Sequence, residues 1–236
     1  MDFYFKFILP VSILEIIAAA VGTYLFFKNK IKRPHTWVVY YLWLMILVES
    51  YGFMVGFSKQ TNYKYFAFLE GTFFQNIFWA YNIFIVIYTT LFISYFLNFI
   101  KNLRERIIIQ VLTLGYIVLA LILFIDLETL QLPVIPIMLI TGSLLLFITI
   151  LLFLLNLIKS DQVIDLKTYF PFYVAMGYLF FLLTTTPIDI YFKYYDIELN
   201  ESYVNLRASI NLYINLFLYS TITLGFILCF WKKKSY

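Results

Sequence analysis

The chain has a single histidine and a single cysteine among its 236 residues, and each shortage removes a class of chemistry. With His35 alone, no multi-histidine zinc site can assemble, and no Ser/His or Cys/His pair can form inside a bilayer. With Cys229 alone there is no disulfide framework, and the thiol reads as a small packing residue. Residues 208–231, the last apolar run, contain no lysine, so the Schiff base that a retinal protein needs is missing. No glycine-rich loop is present to cradle a phosphate and no soluble output module is visible, which excludes nucleotide hydrolysis and an attached kinase. Charge is scarce as well, at 13% of residues.

What is abundant is apolar surface. The chain is 63% hydrophobic and 22% aromatic, more than one soluble core of this size could bury. Lipid is therefore the expected solvent. Runs of about 20 apolar residues cross the hydrocarbon at helical rise, and they fall near 7–27, 37–57, 73–98, 107–125, 134–158, 169–190 and 208–231. The runs are continuous, whereas an outer-membrane barrel needs alternating polarity. The expectation is one all-α domain over 1–236, a polytopic bundle of seven transmembrane helices. Ala18-Ala19-Ala20 resembles a cleavage site, but Asp2 balances Lys6 and Glu15 interrupts the run, so the first segment reads as a retained span.

Lys and Arg between the spans set the orientation. Lys28, Lys30, Lys32, Arg33, Lys101, Arg104, Arg106, Lys159, Lys167, Lys232, Lys233 and Lys234 make 12 on one side; Lys6, Lys59, Lys64, Lys193 and Arg207 make 5 on the other. The richer side is expected in the cytoplasm, with the N-terminus outside and the C-terminus inside. Asp126, Glu128, Asp189, Asp196, Glu198 and Glu201 then lie outside, with Trp37 and Trp231 as anchors at the inner interface. Such clustered basic residues are explained by topology and anionic lipid, and nucleic-acid binding is not expected.

Polar residues at depth point to a site. Glu15 and Glu49 each lie about 12 Å from the outer end of their spans at helical rise. A carboxyl group there must face the bundle and be protonated or partnered. Arg207, Asn211 and Asn215 recur every four residues on the last span, and Gln75, Trp79 and Asn82 recur at helical spacing on the third, beside Asn76. Thr184, Thr185 and Asp189 lie near the outer end of the sixth. Glu15, Glu49, Gln75, Asn82, Arg207, Asn211 and Asn215 are thus the expected lining of an outward-opening, ligand-binding pocket. The competing reading makes the amides and threonines interhelical hydrogen-bond glue, and Glu15 or Glu49 a structural partner of Arg207. Gly52 and Gly56, four apart, suggest close helix packing. No catalytic residue, metal ligand or cofactor is expected.

Span number, orientation and the closing run Asn211-Leu-Tyr-Ile-Asn215-Leu-Phe-Leu-Tyr219 give the chain a layout that resembles the seven-helix membrane sensor modules preceding histidine kinases in some bacteria. This chain departs from that pattern by ending at Tyr236 without an output domain. The resemblance implies a stand-alone sensor or accessory subunit in a bacterial cytoplasmic membrane, surrounded by membrane lipids and engaging a signalling partner through its basic inner loops. Three other readings remain open on the residues alone: a small proton-coupled carrier using Glu15 or Glu49, a lipid-directed enzyme with paired glutamates, and a purely structural assembly subunit. Ligand identity and oligomeric state are not encoded in any motif.

Overall fold

The long apolar runs fold as helices in a computed structural model that describes residues 4–190 and 197–231. Asp2, Lys193, Asp196, Lys232, Lys233 and Lys234, and the side chains of Glu198 and Glu201, lie outside the described residues. The helices are α1 Leu9–Phe27, α2 Thr36–Gln60, α3 Phe78–Leu97, α4 Leu103–Phe124, the short α5 Leu127–Leu130, α6 Pro136–Ile158, α7 Phe170–Ile190 and α8 Ile197–Phe226. Wider π turns, Tyr4–Ile8 and Ile227–Trp231, extend α1 and α8. All but α5 are long and apolar enough to cross a membrane, and no strand occurs among the described residues. This is an all-helical, multi-pass membrane protein.

Three boundaries differ from the sequence expectation, each for a local reason. The third span starts at Phe78 rather than 73, because Asn76 is extended and its Oδ1 accepts the Phe78 amide at 3.1 Å. Gln75 thereby falls on a 3-10 turn, Phe73–Gln75, and leaves the helical stripe with Trp79 and Asn82. The fourth span starts at Leu103 rather than 107, capped by Asn102, whose side chain accepts the Arg104 amide at 3.1 Å. The last helix begins at Ile197 rather than 208, so much of the expected 191–207 connector is helix. Its residues Asn205, Leu206 and Arg207 continue the coil of the span, since neither Gly nor Pro interrupts that stretch.

Packing closes the helices into a ring. α1 lies between α2 and α8, α7 packs on α8, and α6 packs on α7, α4 and α3, while α3 also meets α2 and α4. Between apolar helices in lipid, van der Waals fit does the work that water exclusion does in soluble cores. Several close approaches use glycine. A Cβ at Gly225 on α8 would sit 2.8 Å from Tyr173 Cβ, and one at Gly177 on α7 would sit 2.9 Å from Leu218. The expected Gly52–Gly56 pair is half corrected. Gly52 is tight against Ile77, but Gly56 faces open space.

The two ends of the bundle are joined differently. At the end carrying Lys28, Lys30 and Arg106, here called the basic end, the His35 Nδ1 is 3.1 Å from the Tyr95 hydroxyl. The His35 ring stacks on Phe99 and meets Phe170 and Phe230 edge-on or tilted. Lys30 donates to the Trp231 carbonyl at 2.7 Å, tying the loop after α1 to the last described turn, Ile227–Trp231. At the opposite end α5 is capped by Asp126, whose carboxyl is held below its usual range by the Thr129 hydroxyl and the Glu128 amide.

Candidate functional site

Val11, Glu15, Ala18, Gly22 and Leu25 form one buried stripe along α1, and the neighbours of α1 are α2 and α8. Glu15 is 1% exposed on that stripe. The Tyr219 hydroxyl of α8, also buried, donates to Glu15 Oε1 at 2.7 Å. Glu49, partly buried on α2, accepts from the Ser12 hydroxyl of α1 at 3.2 Å. Ser12 precedes Glu15 by three residues, so both carboxyl groups meet on one side of α1, and they lie within electrostatic reach of each other. Tyr81 of α3 senses both; Tyr41 of α2 and Tyr178 of α7 sense Glu15. Five helices thus converge on two acids and four tyrosines.

Neither acid is neutralised by a cation among the described residues. Arg207, on α8, pairs instead with Asp189 of α7 at 2.7 Å, and both side chains are 17% exposed. Burial of a second hydroxyl adds to the imbalance. Tyr178 is 1% exposed and its hydroxyl has no hydrogen-bond partner among the described residues. Buried polar groups in lipid normally find partners, and here hydroxyl groups surround one carboxyl held at 2.7 Å and another held at 3.2 Å. The cluster can accept a hydrogen bond, a positive charge or a proton.

The remaining expected pocket residues go elsewhere. Asn82 is 3% exposed, but its amide donates to the carbonyls of Leu130 and Leu132 at 3.0 and 2.9 Å, clamping α3 to the α5 connector. Asn215 donates to the Asn211 carbonyl of its own helix at 2.8 Å. Gln75 is exposed on its turn. The structure thus brings Glu15 and Glu49 together, divides Asn82, Asn211, Asn215 and Arg207 between a connector clamp, an intrahelical bond and the Arg207–Asp189 pair, and leaves Gln75 exposed on its turn.

The tyrosines were not foreseen. One more step of four from Asn211 and Asn215 lands on Tyr219, so the stripe already contained the signal. Among the described residues no three His, Cys, Asp or Glu side chains gather as metal ligands would. No family model, no curated protein and no solved structure matches this chain.

Proposed function

We propose that this protein is a membrane sensor or accessory subunit whose ligand, a small or lipidic molecule carrying a hydrogen-bond donor or positive charge, binds at the Glu15–Tyr219 cluster. The observation that carries this reading is the buried Glu15 carboxyl, held by a neutral tyrosine at 2.7 Å with Glu49 nearby and no cation on either acid among the described residues. An incoming donor competes with Tyr219 for Glu15 and changes how α8 sits on α1. That change is transmitted along α8 to Phe226 and Phe230, which pack on Phe170 at the basic end. A ligand that favours one arrangement shifts the population toward it. The excess of Lys and Arg supports a cytoplasmic basic end and an external N-terminus. The Lys28 to Arg33 loop is then the natural contact for a signalling partner, in a bacterial cytoplasmic membrane as for the modules the chain resembles.

The test is thermal unfolding of the purified chain in detergent against amines, alcohols and lipids. A stabilising compound whose effect disappears in Glu15→Gln supports the reading. Stabilisation that survives both Glu15→Gln and Glu49→Gln sinks it. A second reading, the proton-coupled carrier, gains from Ser94 and Gln110, which share a polar cleft with Arg106 in the other half of the bundle. Proteoliposomes separate the two: only a carrier takes up protons with its substrate, and loses that uptake in Glu15→Gln.

A further inference from the structure

Two helix stripes outside the carboxyl cluster face each other at the basic end. On α3 they are Thr90, Ser94, Leu97 and Asn98; on α4 and its first turn they are Arg106, Gln110, Thr113, Leu114 and Ile117. Both sets recur at three- and four-residue steps, so each is a single helix face. With Trp37 at the foot of α2 they enclose an open cleft of about 380 Å³, within the roughly 300–1,000 Å³ typical of small-ligand sites. From Arg106 to Ile117 it runs about 16 Å along the helix at 1.5 Å per residue.

The lining is rich in donors and holds one cation and no carboxylate. The Arg106 guanidinium is partly buried and makes no hydrogen bond or ion pair among the described residues. The adjacent acid, Glu105, is turned away, accepting from Asn156 of α6 at 3.0 Å and from Asn102 at 2.8 Å. The Thr90 hydroxyl is buried without a partner. Asn98 spends its amide on the carbonyls of Ser94 and Tyr95, and Thr113 donates to the Ile109 carbonyl. Arg106, Gln110, Ser94 and Thr90 therefore have donors to offer, while Leu114 and Ile117 continue the wall as hydrocarbon.

We propose that this α3–α4 cleft binds the phosphate of an anionic phospholipid, with Arg106 on the phosphate, Gln110 and Ser94 on the glycerol and ester oxygens, and an acyl chain along Leu114 and Ile117. A guanidinium fork matches phosphate oxygens in geometry as well as charge, and an interfacial arginine at a helix start reaches the headgroup layer without leaving the bundle. This site is separate from the Glu15 cluster and stands whether or not that reading holds.

The experiment uses the full chain in neutral detergent, with bound lipid counted by native mass spectrometry. The probes are phosphatidylglycerol, diacylglycerol of the same chains, and glycerol 3-phosphate. The expected result is one retained phosphatidylglycerol, at least tenfold weaker in Arg106→Gln and unchanged in Arg104→Gln, whose side chain is exposed outside the cleft; tenfold corresponds to about 1.4 kcal/mol. Equal loss in both arginine variants, or diacylglycerol held as tightly as phosphatidylglycerol, overturns the proposal. Displacement of the lipid by equimolar glycerol 3-phosphate overturns the lipid source and leaves a soluble phosphate as the ligand. Should Arg106→Gln fail to fold, Gln110→Leu at an exposed position carries the test: an unchanged lipid affinity there refutes the site.

Discussion

Tyr219→Phe isolates the contact on which the α1–α8 seam and the candidate site both depend. The substitution deletes the hydroxyl 2.7 Å from Glu15 Oε1 and leaves ring packing in place. In soluble proteins an orphaned buried acceptor costs about 1–3 kcal/mol, whereas interhelical hydrogen bonds measured in a membrane average about 0.6 and reach about 1.7 kcal/mol. Glu15 is 1% exposed and has no other hydrogen-bond donor among the described residues, which places this bond at the upper end of the membrane scale. The expected loss is about 1–1.7 kcal/mol, or roughly 2–7 °C in Tm at about 2–4 °C per kcal/mol for a chain of this size. Glu15→Leu removes the acceptor, so Tyr219→Phe added to it should cost less than Tyr219→Phe alone. The assay is reversible unfolding in bicelles of the wild type, both single variants and the double variant. Additivity within about 0.4 kcal/mol would refute the bond as a stabilising contact. Tyr178→Phe is the internal contrast. It removes a buried hydroxyl without a partner and should be neutral or stabilising in the same assay.

Asn82→Ala should lower stability by about 1–3 kcal/mol by stranding the Leu130 and Leu132 carbonyls, measured by thermal unfolding, and should leave the ligand response proposed for Glu15 unchanged. Arg207→Gln should cost about 0.2–1 kcal/mol, discounted for the 17% exposure of the pair, with the loss shrinking in high salt. Gly225→Ala should destabilise through Tyr173 Cβ, whereas Gly56→Ala, opening on free space, should stabilise α2 by up to about 1 kcal/mol; the two melting temperatures should move in opposite directions. The Asp126 carboxyl, held low by Thr129 and Glu128, contributes to capping α5 above the ordinary carboxylate range and loses that contribution as pH falls through its own lowered value. An NMR titration of Asp126 at or above the ordinary value would contradict the cap.

The helices were legible because lipid leaves the backbone only helices or closed barrels, and the apolar runs are continuous where a barrel needs alternation. Their ends were less so, since Asn76 and Asn102 act through side-chain bonds to one particular amide, which apolar runs do not report. Of the site, the matched depths of Glu15 and Glu49 were readable from position alone. Of their tyrosine partners only Tyr219 continued a readable stripe; among 21 Tyr and 27 Phe, Tyr41, Tyr81 and Tyr178 are indistinguishable from packing until the fold selects them. Asn82 was misleading in the opposite direction. A deep amide suggests a ligand, but the α5 connector folds over and takes both of its donors.

The bond between Glu15 and Tyr219 spans 204 residues of sequence, and that separation bears on how the protein is made. At about 5–20 residues per second of synthesis, the first helix spends on the order of 10–40 s near the insertion machinery before its phenol partner is translated. At first the acidic side chain has only the early-made Ser12, Tyr41 and Glu49 nearby, and Tyr81 and then Tyr178 join them before Tyr219 is made. The Glu15–Tyr219 bond therefore forms only once α8 has been translated, and a chain cut short before α8 would leave the first helix with α2 as its neighbour and Glu15 without its phenol donor.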